Sequence, residues 1–136
     1  MQLALPWCLF DPERDPQRLP ARADQRAPAS AREKRLFCVH CRYVITHQRE
    51  RCIVQGSHEH RFTNPAGLSF HIGCFGRAPG CMTIGGATRE HTWFAGYAWT
   101  IAQCARCQTH LGWRFQAAED EFYGLILARL TSRAAT

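Results

Sequence analysis

The chain has 136 residues, of which 46% are hydrophobic and 21% charged, and this favours one compact domain with its own core over a multidomain enzyme. No run approaches the roughly 20 apolar residues that a membrane-spanning helix needs, so we expect a soluble, cytoplasmic protein without a membrane partner. The formal net charge of +6 makes nucleic acid a candidate partner. Whether that holds depends on whether the basic residues are clustered.

The amino-terminal region differs in composition from the rest of the chain. Residues 1–35 contain most of the prolines and few large apolar side chains after Phe10. Such a segment buries too little surface to offset its ordering entropy, so we predict a flexible arm followed by one domain over residues 36–136. An alternative is that apolar residues within Met1–Phe10 dock on that domain. This stretch lacks a basic leader and contains Pro6, unlike a secretory signal, so we expect mostly reduced thiols.

Short apolar or alternating runs, separated by turn residues, fill the chain from Leu36 onward. They predict an antiparallel, mostly β domain. Turns are predicted at residues 64–67 (NPAG) and around Gly96. Residues 119–130 fit a helix or a final strand equally well. The predicted strands lie in the runs RYVIT, RCIV, LSFHIG, CMTIGG, HTWFAGYAWTIAQ, LGWRF and FYGLIL.

Two CxxC pairs, Cys38/Cys41 and Cys104/Cys107, are separated by residues 42–103. One such pair grips one face of a tetrahedral ion, and two pairs complete a closed site of four thiolates. A single pair would also fit redox chemistry, but two pairs in a small β protein favour one structural Zn²⁺. His40 and His110 are weaker candidate ligands. Because thiolates fill all four positions, no metal-bound water is left to activate.

The other cysteines are Cys8, Cys52, Cys74 and Cys81. Cys74 and Cys81 lie in apolar runs, where an inert buried thiol is the usual reading. The alternative, a catalytic thiolate, needs a neighbouring base or positive field that the sequence does not place there. We expect no catalytic residue.

Three tryptophans, Trp93, Trp99 and Trp113, lie close together in the sequence, and Phe115 shares a strand face with Trp113. If the Gly96 turn brings the strands beside it together, these rings converge on one small volume. The alternative is that they fill the core. No Asp or Glu occurs between His91 and Ala118, so a neutral ring is a better ligand than a cation. His91 would read a polar edge of that ring or be a solvent-facing turn residue.

The motifs CVHC, NPAG, HTWFAGYAWTIAQCARCQTHLGWRF and FYGLILARL, in this order, closely resemble the cereblon-type thalidomide-binding family, whose domain is called CULT and has stand-alone bacterial members. The resemblance covers about residues 36–130. It implies a β-tent fold, a zinc-pinned pair of antiparallel sheets. It also implies a pocket for the glutarimide ring of thalidomide-type drugs, for uracil-like rings such as uridine, and for C-terminal cyclic imides of damaged proteins.

The resemblance implies a role for individual residues. Cys38, Cys41, Cys104 and Cys107 match the zinc ligands. Trp93, Trp99 and Trp113 match a three-tryptophan cage with Phe115 at its floor. The edge of the imide would be read by His91 and by the backbone beyond it, at Thr92 and Trp93. Asn64 and Pro65 would contact what protrudes from the ring, and Phe70 would flank the pocket.

Three departures and alternatives accompany this reading. Family members that join a ubiquitin ligase do so through a further amino-terminal domain, so this chain implies no ligase assembly. Methionine-R-sulfoxide reductases are similar in having a zinc β-tent core, but their reactive cysteine near the carboxyl end has no counterpart after Cys107. The arginines after residue 35 are scattered rather than clustered, so we expect only weak, nonspecific binding of nucleic acid.

Overall fold

The structure, a computed structural model, describes residues 34–135 of the chain. In this range the chain forms nine β-strands and two short 3-10 helices, Gln48–Glu50 and Leu127–Arg129. Residues 1–33 of the predicted arm, and with them the alternative docking of Met1–Phe10, lie outside the described residues. The last residue of the predicted arm, Arg35, is the first residue of β1. The strands are β1 (Arg35–Cys38), β2 (Val44–His47), β3 (Glu59–Thr63), β4 (Ser69–Phe75), β5 (Cys81–Thr88), β6 (Ala98–Cys104), β7 (His110–Gln116), β8 (Glu121–Ile126) and β9 (Leu130–Thr131).

The strands form two antiparallel sheets, which confirms the predicted mostly β fold with a pair of antiparallel sheets. The larger sheet has six strands in the order β3-β4-β8-β7-β6-β5, and the smaller has three in the order β2-β1-β9. β3/β4, β5/β6, β6/β7 and β7/β8 pair with their sequence neighbours, whereas β4/β8 and β1/β9 pair across long stretches of chain. Each long-range pair, one in each sheet, joins a strand near the end of the described chain to a much earlier strand.

The segment between β4 and β5 joins the two sheets at Gly80. The Gly80 N–H donates to the Ile45 carbonyl at 3.0 Å, and the Gly80 carbonyl accepts from the Ala105 N–H at 2.9 Å. A Cβ at this position would lie 2.1 Å from the Val44 carbonyl oxygen. Only glycine allows the backbones to approach this closely.

The core of the described chain consists of two clusters of buried residues. One is dominated by aromatic rings, and Phe94, Phe115 and Phe122 are almost fully buried in it. The other surrounds the paired cysteines and contains Ile45 and Phe75. The first cluster supports the predicted ligand residues, and the second supports the predicted metal site.

Most of the predicted strands are present, and the residues that fit helix or strand form β8 followed by a 3-10 turn. The run RCIV is not a strand, so that prediction was wrong. Val54 and Ser57 exchange backbone hydrogen bonds of 3.0 and 3.2 Å around Gln55 and Gly56, both with positive φ, so the run ends in a tight turn. The sequence missed β3, whose residues EHRFT have only one large apolar side chain and depend on pairing with β4. It also missed the two-residue β9.

Helices in the described part of the chain are too short and too polar to cross a membrane.

Candidate functional site

The four paired cysteines meet at one point, although residues 42–103 separate the pairs. Their sulfur atoms lie within 4.8 Å of one another, and both Cys38–Cys107 and Cys41–Cys104 have Sγ–Sγ distances of 3.6 Å. Four sulfurs at about 2.3 Å from a tetrahedral Zn²⁺ are about 3.8 Å apart. The donor set and its spacing therefore suit one zinc ion, which confirms the predicted cofactor.

Both cysteine pairs have the same local fold. Cys38 N–H donates to the Tyr43 carbonyl at 2.8 Å, and Cys104 N–H donates to the Thr109 carbonyl at 2.9 Å. The residue after each pair, Arg42 or Gln108, has φ near +64° and returns its N–H to the first cysteine carbonyl, at 2.8 and 2.9 Å respectively. Contiguous residues thus suffice to form each half of the site, which is why the sequence alone revealed it.

Hydrogen bonds at the second pair favour the thiolate form that zinc requires, although burial outweighs them at Cys104 and raises the pKa of that thiol to about 12. The Arg106 N–H donates to Cys104 Sγ at 3.4 Å. The Thr109 hydroxyl lies 3.1 Å from Cys107 Sγ and is the main reason that the pKa of this thiol falls to about 6. A bound zinc ion would offset two of the four thiolate charges and hold β1 of the smaller sheet against the end of β6 of the larger one.

The two histidines predicted as weaker ligands are not in this group. Both ring nitrogens of His110 have other neighbours, the Gly112 carbonyl at 3.0 Å and the Arg129 guanidinium at 3.4 Å. Burial lowers the pKa of His110, and its ring packs edge-on against Trp113. His40 is exposed in the turn. Zinc therefore has four sulfur ligands and no open position.

A cavity of about 300 Å³ lies at the other end of the larger sheet. β6 and β7 supply its walls, because Trp99 pairs with Phe115 in the ladder and Ile101 pairs with Trp113. Directly paired residues share a sheet face, so the three aromatic rings point to one side. The lining residues, seven of the nine predicted to contact ligand, are Asn64, Pro65, His91, Trp93, Trp99, Trp113 and Phe115.

Trp93 reaches the cavity from a loop, not from a strand as the sequence suggested. The Gly96 turn is present, with φ of +89° and a Tyr97 N–H to Phe94 carbonyl bond of 3.0 Å. The loop between β5 and β6 folds over the sheet. The Trp93 ring stacks on Phe62 at 4.9 Å and meets Trp113 edge-on at 4.7 Å.

The other wall of the cavity comes from two turns. The NPAG turn between β3 and β4 is confirmed by a Gly67 N–H to Asn64 carbonyl bond of 2.9 Å. The Asn64 side chain also accepts from the Leu68 N–H at 2.9 Å, so its carboxamide is fixed in place. His91 lies exposed in the second turn with φ of +56°, a left-handed conformation that His, like Asn and Asp, adopts more often than other non-glycine residues do.

Two predicted contact residues do not line the cavity. Phe70 lies behind it, 5.2 Å from the Trp113 ring and 6.1 Å from the Trp93 ring, and supports both. The Thr92 hydroxyl lies 3.4 Å from the backbone of Phe94. The sequence did not single out Phe62 or Phe94, because nothing in a single apolar residue of β3 or of a loop indicates which rings it will meet.

The cavity has polar groups only at its rim. The Trp99 indole N–H is satisfied by the Glu90 carbonyl at 2.8 Å. By contrast, no hydrogen bond within residues 34–135 involves the Trp93 amide N–H or the His91 carbonyl. Among the described residues that line the cavity, none has a carboxylate, lysine or arginine side chain. The site thus offers flat apolar walls, and the Trp93 N–H and the His91 carbonyl are among the backbone groups of its lining residues that have no partner in this range.

The other free thiols of the described chain, Cys74 and Cys81, are poorly suited to nucleophilic chemistry. Burial raises the pKa of both to about 12. Cys52 is buried in the aromatic core cluster and is disulfide-bonded, so it carries no thiol. Cys8 lies outside the described residues.

Similarity to known proteins is consistent with this geometry. The chain is 38% identical over 74 residues to protein cereblon of Danio rerio, a match that covers 51% of this chain and 17% of that protein. It is 38% identical over 77 residues to protein cereblon of Gallus gallus, covering 53% and 17%. This chain contains a cereblon-type (CULT) domain. No family model matches the chain.

The region that matches this chain is a small part of each relative. The chain spans about 17% of the length of the vertebrate cereblons, and 8% of protein cereblon of Drosophila willistoni, to which it is 41% identical over 46 residues. The zinc ligand set and the paired sheets of the CULT domain agree with the predicted β-tent. The similarity therefore concerns this domain and not the remaining length of the relatives.

Proposed function

We propose that this CULT domain is a non-enzymatic binding module for small cyclic imides and uracil-like rings. The observation that carries the proposal is the uncharged aromatic cavity, lined by Trp93 and His91, whose amide N–H and carbonyl respectively have no hydrogen-bond partner among residues 34–135. An imide edge presents an N–H beside carbonyl oxygens, so it complements one acceptor and one donor on the protein.

Affinity in this proposal comes from the aromatic walls. Trp93, Trp99 and Trp113 would stack against or edge onto the flat ring and exclude water from it, while Phe115 closes the floor. The cavity volume of about 300 Å³ is at the low end for small-molecule sites. This favours a single five- or six-membered ring over a larger ligand.

Selectivity would come from the backbone at the rim. The ring N–H donates to the His91 carbonyl, and the Trp93 N–H donates to a ring carbonyl, with the His91 imidazole and Thr92 beside them. A site built around such groups rejects analogues that lack the matching atom, because its own polar groups then remain unpaired.

Substituents on the ring would leave the cavity past Asn64 and Pro65, with Phe70 supporting the wall behind. A glutarimide drug and the C-terminal cyclic imide of a damaged protein share the ring and differ only in this protruding part. Both therefore belong to the proposed ligand class. We assign no nucleic-acid partner to the site, because no lysine or arginine lines it.

A binding module also agrees with the chemistry of the thiols and the metal. Four thiolates occupy every position of a tetrahedral zinc ion, so the ion would stabilise the fold without polarising a substrate. The buried Cys74 and Cys81, each with a pKa of about 12, are protonated at neutral pH and weak nucleophiles.

The test is a calorimetric titration of zinc-loaded protein with thalidomide, with uridine and with a peptide ending in a cyclic imide. We expect saturable binding at one site per chain. N-methylated thalidomide, which has the same ring but no imide N–H, is the matched control and should not bind. Absence of heat with all three ligands, or equal binding of the methylated control, contradicts the proposal.

A further inference from the structure

β5 is an edge strand that is exposed along almost its whole length. It ends the larger sheet beside β6, and every residue from Met82 to Ala87 is exposed. Met82 and Ile84, on one face, are 41% and 40% exposed. In the part of the chain that the structure describes, no backbone hydrogen bond reaches the outer edge of β5 between Met82 and Ile84.

The two edges of the larger sheet are built differently. The opposite edge strand, β3, carries the exposed charges of Glu59 and Arg61, which discourage pairing with another strand. β5, with the sequence CMTIGGAT, has no charged residue and no proline. An exposed edge without charge or proline is the kind that accepts a further strand.

The ladder with β6 fixes which backbone groups of β5 point outward. The Gly80 carbonyl accepts from the Ala105 N–H, so this pair is hydrogen-bonded across the two strands. Hydrogen-bonded and non-hydrogen-bonded pairs alternate in an antiparallel ladder. Met82 and Ile84 therefore direct their N–H and C=O groups toward β6, and Thr83 directs both of its groups outward.

We propose that two copies of the chain associate through β5, as an antiparallel pair about a two-fold axis at Thr83. Each Thr83 N–H then donates to the Thr83 carbonyl of the other copy, and Met82 of each copy lies opposite Ile84 of the other. This register brings four exposed apolar side chains together on one face and no charges. Identical strands satisfy it without any further partner, as isologous interfaces require. The inference is independent of the proposed function.

The interface would place both cavities on one side of a continuous sheet. Ile84 pairs with Ile101, which pairs with Trp113 of the cavity wall, so the apolar face of β5 and the cavity share a sheet face. An irregularity between Ile84 and Thr88 confines regular pairing to Cys81–Ile84. Because so few residues pair, the association is a weak one, and it would place the two cavities on the same side of the joined sheet.

The first experiment is sedimentation equilibrium of the full zinc-loaded chain at concentrations up to about 1 mM. We expect the average mass to rise from 15.5 kDa toward that of a dimer. Ile84→Lys should abolish the rise. Ile53→Lys is the matched control, because Ile53 is 46% exposed and lies in none of the strands. This variant should associate like the unmodified chain.

The second experiment is amide hydrogen exchange at low and high protein concentration. We expect the Thr83 amide to exchange fast when dilute and at least severalfold more slowly when concentrated, while the Met82 and Ile84 amides are protected at both. A monomer at all concentrations overturns the proposal. So does association that survives Ile84→Lys, or protection of Thr83 that does not depend on concentration, since the edge would then be covered within one chain.

Discussion

The indole N–H of Trp99 donates a 2.8 Å hydrogen bond to the backbone carbonyl of Glu90. This contact joins a wall of the cavity on β6 to the turn that carries His91. A second contact, the 2.6 Å bond from the Tyr97 hydroxyl to Asp120, fastens the other end of the same loop. The Trp99 ring, which forms a wall of the cavity, therefore also fixes the position of the turn at its rim.

Replacing Trp99 by Phe should weaken ring binding about tenfold. The variant keeps an aromatic wall but loses the bond to Glu90, and a lost hydrogen bond together with a smaller ring is worth about 1 to 1.5 kcal/mol. Trp99→Ala should abolish binding. Calorimetry with a glutarimide measures both, and Tyr43→Phe, in the core cluster around the paired cysteines, is the control. Unchanged affinity in Trp99→Phe would show that the indole N–H does not position the rim.

Zinc removal should destroy cooperative unfolding of the domain. The ion would tie β1 to the end of β6, and structural zinc contributes folding free energy directly. We expect one zinc per chain by elemental analysis, and a large fall in thermal midpoint after chelation or in Cys104→Ser. Cys81→Ser is the control, because Cys81 is the strand partner of Cys104 but not a ligand. A chelated protein that melts like the loaded one would refute this role.

Gly80→Ala should destabilise the fold by about 2 to 3 kcal/mol, a cost typical of overpacking. The added Cβ would lie 2.1 Å from the Val44 carbonyl oxygen and 2.6 Å from the Ile45 Cα, so the smaller sheet would have to shift. Gly86→Ala is the control, since nothing lies within 4 Å of a Cβ there. Urea midpoints measure the difference, and equal midpoints would contradict the close approach.

Stability should fall as the pH decreases from about 7.5 to about 5.5, in part because of His58. Burial lowers the pKa of this imidazole below its usual 6.5, with Arg51 contributing in the same direction and Glu59 opposing it. Protons then bind the unfolded chain first, so stability present above the unfolded pKa of about 6.5 is lost as the pH falls from there through the lower pKa of the folded state. His58→Gln should reduce the slope of unfolding free energy against pH. An identical slope in the variant would remove His58 as a cause.

The sequence by itself determined the zinc ligands and most of the strands. Each CxxC pair folds through hydrogen bonds among six contiguous residues, so its spacing already contains the geometry. Most strands could likewise be predicted because each corresponds to a short run of apolar or alternating apolar and polar side chains. The fold class and the metal could therefore be predicted from residues close together in the chain.

Only the tertiary structure decided which rings form the cavity and how they are held. Trp93 reaches its wall because a loop crosses the sheet and stacks on Phe62 of β3, a strand that its own sequence did not reveal. Phe70 and Thr92, predicted as contacts, are not among the residues that line the cavity. Such relationships depend on the register of strands that are distant in sequence, and one chain contains no local signal for a long-range register.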